Sequence, residues 1–212
     1  MLGKPKDEKE KQLFDAIGTI RAARFVRKYA KTRKPIDVGV VYVIHEKIYK
    51  DWWQEMAGKL RQEEVKIWRS KHLPPHHSKI GEYMQYLNRD LKDGLEQIDP
   101  KKLLSKDKKI YLDEFVRLIK VAAIIHHKIV WIHPFVDGNG RTARLMTNLI
   151  LERYGLWGLS AQIERENKEA YFNALSQIDD YGDCEPLMDM IAQGLLEKAN
   201  KLSGSILPFN RS

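Results

Sequence analysis

Residues 111–154 read YLDEFVRLIKVAAIIHHKIVWIHPFVDGNGRTARLMTNLILERY, and their pattern decides the fold. Leu112, Phe115, Ile119, Ala122, Ala123, His126, Ile129 and Val130 hold a helical period over about five turns. So much of that circumference is apolar that the helix must run through the middle of the molecule. His133-Pro134 ends it, because the residue before a proline is pushed out of the α region. A second helix starts near Gly140, carries Leu145, Leu149 and Ile150, and runs to Tyr154, where Gly155 supplies a stop.

The same period recurs outward from this pair. Leu13, Ile17, Ile20, Ala23 and Val26 predict a helix over Gln12 to Lys31, stopping before Lys34-Pro35. Val38, Val41, Ile44, Ile48 and Trp52 predict another over Asp37 to Trp53, against the mild strand preference of its β-branched residues. Ile80, Tyr83, Met84, Leu87 and Leu91 mark a further helix, and Glu164 to Leu175 and Pro186 to Leu202 two more. Between them, Glu64 to Arg69 alternates polar and apolar residues and Leu73-Pro74-Pro75 forbids a helix, which predicts a short exposed β-hairpin. The expectation is a mainly α single domain over 1–212, with residues 1–35 as an N-terminal helical extension and one hairpin flap.

A chain of 212 residues buries a core without disulfides or a structural metal. Its single cysteine, Cys184, excludes an intrachain disulfide and a cysteine-ligated zinc site, and the flanking Asp183 and Glu185 would raise rather than lower a thiol pKa. No apolar run is long enough for a membrane span. The opening MLGKPKDEKEKQ lacks the apolar segment of a secretory signal, so the expected compartment is the cytoplasm, with delivery to another cell left open. A net charge of +8 suits an anionic partner, but runs such as Lys101-Lys102 and Lys106 to Lys109 read as solvated faces. Neither a membrane nor a nucleic acid is the expected partner.

The chemistry is concentrated in the turn between the two central helices. His133 to Arg144 packs a base, a carboxylate, two glycines, an amide and two arginines into one elbow. Gly138 and Gly140 at the mouth of a helix let its free N–H groups converge on an anion. Arg141 and Arg144, three residues apart, add forked donors suited to phosphate oxygens. Asp137 is the one carboxylate of the turn able to hold a divalent cation, Asn139 can orient a further oxygen, and His133 supplies a group able to take a proton near neutrality. Competing motifs fit poorly or not at all. An EF-hand would need Glu where Asn148 stands, the G-x-G-x-x-A spacing of Gly138 to Ala143 follows no strand, and no Gly-Lys-[Ser/Thr] follows the glycines.

HPFVDGNGRTAR at residues 133–144 resembles, at every defined position, the HPFx[D/E]GNGRxxR signature of the Fic family of adenylyltransferases. Ala57 to Arg61, the Leu-Pro-Pro hairpin, the long helix before the signature, and Asn167 and Tyr171 after it stand in family-like order, so the Fic core spans about residues 40–200. The resemblance implies a protein adenylyltransferase that moves AMP from ATP to a Ser, Thr or Tyr hydroxyl of a target protein and releases pyrophosphate, with Mg²⁺ as cofactor. Related proteins that phosphorylate carry lysine at the position of Gly140. It further implies His133 as base on the target hydroxyl, Asp137 as Mg²⁺ ligand, Gly138, Asn139, Gly140 and Arg141 as phosphate cradle, and Arg144 at the γ-phosphate. Asn167 and Tyr171, and Lys66 and Trp68 on the hairpin, are candidates for nucleotide or target contacts.

Members are often restrained by a helix bearing [S/T]xxxE[G/N]. Thr19 to Arg24 and Ser160 to Arg165 both depart from that pattern, so either Arg144 is unrestrained or a separate inhibitory protein supplies the glutamate. Three readings stand beside AMP transfer: another nucleotidyl or phosphate-containing group transfer, removal of AMP, and a basic binding module without catalysis.

Overall fold

Aspartates open three of the helices. Asp7 accepts from the Glu10 N–H at 2.8 Å, Asp37 from Val40 at 3.3 Å, and Asp107 from Lys109 at 2.8 Å and Ile110 at 3.2 Å. Each satisfies N–H groups that have no intrahelical partner. The computed structural model describes residues 4–67, 72–156 and 168–205, with side chains described up to 200. Among these lie α1 (Glu8–Ala30), α2 (Val38–Tyr49), α3 (Ile80–Glu96), α4 (Lys108–Ile132), α5 (Asn139–Arg153), α6 (Lys168–Tyr181) and α7 (Glu185–Ser205). Two single 3-10 turns precede α3 and α4.

The long apolar helix is central, as its circumference predicts. Leu118, Ile119, Ala122, Ala123, Ile125, Ile129 and Ile132 of α4 are all buried, and α3, α5 and α7 pack around it. α5 answers with Ala143, Met146, Leu149 and Ile150, each fully buried. Every such large aliphatic side chain contributes on the order of 2 kcal/mol, which holds the two helices flanking the elbow as one unit. α1 lies across α2 and α5. It is thereby placed beside the N-terminal end of α5.

α2 forms despite its β-branched residues because Val40, Val41, Ile44 and Ile48 are all buried on one side. Packing outweighs the few tenths of a kcal/mol per residue that propensity withholds. It ends at Tyr49 rather than at Trp53, and Trp52 and Trp53 stack on each other in the turn beyond. Residues 64–67 of the expected hairpin carry no strand, and Trp68 and Arg69 lie outside the described residues. Val65 and Ile67 are half-buried while Glu64 and Lys66 are exposed, so the alternation survives without strand pairing.

Candidate active site

His133 caps α4 in the left-handed conformation, with φ 49° and ψ 58°. A non-glycine residue rarely sits there, and when it does the surroundings must hold it. Arg61, only 1% exposed, does so. Its Nε donates to the His133 carbonyl at 2.8 Å and its backbone N–H to the Pro134 carbonyl at 2.9 Å. The other guanidinium nitrogens donate to Glu63 O at 2.8 Å and Pro75 O at 2.6 Å, tying the elbow to the chain on either side of residues 64–74.

The His133 ring has a defined tautomer. Nδ1 faces the Val130 carbonyl at 3.2 Å, and a carbonyl only accepts, so Nδ1 carries the hydrogen and Nε2 keeps its lone pair. Burial pushes the imidazole down to about 4, which keeps that lone pair unprotonated at neutral pH.

The elbow itself is clamped from inside. Asn139 accepts from the Phe135 N–H at 2.9 Å and donates to the Phe135 carbonyl at 2.8 Å. Phe135 is fully buried and stacks on His45, ring centroids 3.7 Å apart and planes nearly parallel at 7°. His45 accepts from the Gly58 N–H at Nδ1, 2.9 Å, so its Nε2–H donates to the Asp137 carbonyl at 3.0 Å. The Asn139 side chain, expected to orient a phosphate oxygen, is thus held at both ends by the Phe135 main chain, through one of its two amide hydrogens and one of its two lone pairs. Its backbone N–H still stands at the helix mouth.

Gly138 is the N-cap of α5, with φ 79°. A side chain there would have its Cβ 2.7 Å from the Tyr49 ring, so both the conformation and the space require glycine. The first intrahelical bond runs from Thr142 N to Gly138 O at 2.9 Å, which leaves the N–H groups of Asn139, Gly140 and Arg141 ahead of the ladder. Together with the helix dipole they form an anion-binding terminus. The Arg144 guanidinium lies over Gly140, 3.4 Å from where a Cβ would be.

Asp137 and Arg141 face each other beside this terminus. Asp137 Oδ1 accepts from the Gly138 N–H at 2.6 Å, and Oδ2 pairs with Arg141 Nη2 at 3.2 Å. Burial works against the Asp137 charge, but Arg141, the Gly138 N–H and the Tyr49 hydroxyl outweigh it and hold the carboxyl below its usual range. Arg141 also donates to the Tyr49 hydroxyl, lies 5.1 Å above that ring, and pairs through Nη1 with Asp15 of α1 at 2.8 Å. An ionised carboxylate with a 43% exposed side chain beside an anion site suits Mg²⁺, which takes one or two carboxylates plus phosphate oxygens and water. A second donor set, Glu64, His76 and His77, gathers at the base of the loop. There Glu64 is already held by His77 Nδ1 at 2.7 Å and approached by Arg61 at 3.9 Å, and that cation disfavours another.

The remaining sequence candidates are Tyr171, Lys66, Asn167 and Trp68. Tyr171 is buried, its hydroxyl 2.9 Å from His126 Nε2, with Thr147 Oγ1 3.1 Å from the other ring nitrogen. That places Tyr171 in the packing behind α4. Lys66 is exposed, and Asn167 and Trp68 lie outside the described residues. His45, Tyr49 and Asp15 carry no signal in the motif. Only a histidine interrupting the apolar face of α2 hints at the first of them.

A left-handed histidine, a glycine-capped helix mouth and two arginines on its first two turns make a site suited to an anionic, phosphate-bearing ligand. Residues 35–151, over half of the sequence, match the family model described as Fic/DOC, and the chain belongs to that family. It is 30% identical over 180 residues to the protein adenylyltransferase Fic of Nematostella vectensis, covering 84% of this chain and 37% of that protein. The fold is similar to that of Fic-1 from C. elegans, with TM-score 0.67 and 25% identity over 96% of this chain and 54% of that one. It is also similar to BepC from Bartonella tribocorum, solved with bound AMPPNP, with TM-score 0.61 and 16% identity over 88% of this chain and 86% of that one. The chain spans about a third of the length of the curated relatives it matches, 37% and 31% for two of them.

Proposed function

We propose that the chain transfers AMP from ATP to a hydroxyl of a target protein, releasing pyrophosphate. The observation that carries this is the pairing of two features across one turn. His133 presents an unprotonated Nε2, and five residues on begins a helix mouth with three N–H groups ahead of its ladder. The names of the relatives, adenylyltransferases, and the AMPPNP in BepC support the same reading.

The target oxygen attacks the α-phosphorus, the bond from that phosphorus to the β-bridging oxygen breaks, and the hydroxyl proton passes to His133 Nε2. Negative charge grows on the non-bridging oxygens. The N–H groups of residues 139–141 and the guanidinium of Arg144 stand preorganised to stabilise it. Asp137 would hold Mg²⁺, which when bound neutralises phosphate charge. The segment that carries the exposed Lys66, tied down by Arg61 and by the Glu64–His77 pair, would align the target by main-chain hydrogen bonds with little demand on its sequence.

The test is labelling with ATP carrying isotope at the α- or the γ-phosphate. Label entering protein from the α position supports AMP transfer, label from γ supports phosphorylation, and neither overturns the enzymatic reading in this direction. His133→Ala should abolish transfer and leave ATP affinity within about threefold, because the imidazole acts on the hydroxyl and not on the nucleotide.

A further inference from the structure

The N-terminal helix α1 lies upstream of the matched family region, 35–151, yet it delivers a carboxylate to the signature. Asp15 Oδ2 stands 2.8 Å from Arg141 Nη1, with side chains only 19% and 21% exposed. Its other oxygen, Oδ1, is buried and accepts no hydrogen bond among the described residues. A buried carboxylate with one orphaned oxygen costs stability, so packing alone does not account for aspartate at this position.

The approach is built into the backbone. One turn after Asp15, Gly18 meets α2 so closely that a Cβ there would fall 1.8 Å from the Ile48 carbonyl oxygen. Further along, Arg21 donates to Lys47 O at 3.2 Å and pairs with Asp51, fastening α1 to the end of α2. α1 also packs on α5, and there Asp15 meets Arg141.

Arg141 is thus shared by two carboxylates. Asp137 takes one guanidinium nitrogen and Asp15 the other. The two acids differ in surroundings, since the Asp137 side chain is 43% exposed and Asp15 is enclosed by α1 and α5. When Asp137 is recruited to a cation it must slacken its hold on Arg141. We infer that Asp15 is a positioning residue for that exchange: it keeps Arg141 paired and in place when Asp137 turns to a divalent cation, so that the site takes the metal complex of a triphosphate in preference to the bare polyanion. This rests on the nucleotide-binding reading above and adds to it the basis of the metal requirement.

The test measures ATP binding by calorimetry across a Mg²⁺ titration and in EDTA, with melting temperatures alongside, for the wild type, Asp15→Asn and Asp15→Glu. Removing the charge leaves Arg141 to Asp137 alone, so Asp15→Asn should raise the half-saturating Mg²⁺ about three- to tenfold, the range expected for one partly buried charge-assisted contact. In EDTA the same variant should bind ATP as tightly as the wild type or more tightly, because the site has lost a negative charge. Asp15→Glu should return the Mg²⁺ requirement towards the wild-type value. An unchanged requirement in Asp15→Asn, equal weakening with and without Mg²⁺, tighter binding in Mg²⁺, or a melting temperature far below wild type each overturns the inference. Wild-type protein that binds no ATP overturns the nucleotide reading as well, whereas wild-type binding with no shift in the variant overturns only the role of Asp15.

Discussion

Arg61 donates from Nε to the carbonyl oxygen of His133 at 2.8 Å, joining residues 72 positions apart at the point where α4 ends. The left-handed histidine and the 64–75 loop therefore share one buried cation, which donates to three carbonyl oxygens. Arg61→Ala leaves those three acceptors without their donor and opens a cavity, so it should cost about 3 kcal/mol or more. Arg61→Lys keeps the charge but cannot reproduce the fork, and should fall between. Urea unfolding measures the stability. Label transfer should fall more than ATP affinity, because the histidine and the loop move while the helix mouth does not. Equal losses of both would show that the elbow collapses as a whole.

The left-handed backbone at His133 makes a second prediction, separable from the chemistry of its ring. Asparagine tolerates that conformation and valine does not. Both variants should be inactive, but His133→Asn should melt close to the wild type while His133→Val loses about 1–3 kcal/mol in strain. Similar melting of the two would mean that residue 133 relaxes out of φ 49° at little cost.

The two glycines of the signature should part company on substitution. Gly138→Ala combines a positive φ of 79° with a Cβ 2.7 Å from the Tyr49 ring, whose hydroxyl receives Arg141. It should destabilise by about 2 kcal/mol or more and weaken ATP binding. Gly140 is helical, and its Cβ would meet only the end of the Arg144 side chain at 3.4 Å. Gly140→Ala should leave stability within about 0.5 kcal/mol or improve it through helix propensity. Its effect should appear in nucleotide affinity alone. Thermal melts and ATP titrations of the two variants check both statements, and a Gly140→Ala melt as low as that of Gly138→Ala would refute the contrast.

The parts of this site legible in the sequence are those whose cause is local. The end of α4, the turn and the start of α5 follow from an apolar period, one proline and two glycines within a few residues. Tyr49 and Arg141 lie 92 positions apart, and Asp15 reaches Arg141 from a helix upstream of the matched region. No local pattern encodes such a meeting. Asn139 shows a second kind of limit. An amide in a phosphate-binding pattern reads as a ligand, yet a short polar side chain beside a turn also bonds readily to nearby backbone, and here it clamps the Phe135 main chain through one hydrogen and one lone pair. The 64–69 segment reads as a hairpin from its alternation and the Leu73-Pro74-Pro75 break after it; residues 64–67 carry no strand, and Trp68 and Arg69 lie outside the described residues. Alternation records which side chains face the protein, and Val65 and Ile67 do, without requiring a paired strand.

Acid should weaken the fold through histidines that are buried uncharged. Burial pushes His45 and His133 down to about 4 and His126 to about 3. In the unfolded chain each titrates near the ordinary value of about 6.5. Between those limits the unfolded state binds more protons than the native one, so stability rises with pH. The contribution is complete above about pH 6.5 and is progressively lost as pH falls towards 4. Urea midpoints should therefore be flat from pH 7 to 8 and fall steadily below about 6.5. Label transfer in short pulses should behave differently, because the His133 lone pair stays available well below neutrality while the protein remains folded. Its acid limb should lie near pH 4 to 5, displaced from the onset of the stability loss. A limb centred near 6.5 would show that the His133 ring is solvated in the working enzyme, and burial would no longer explain its unprotonated state.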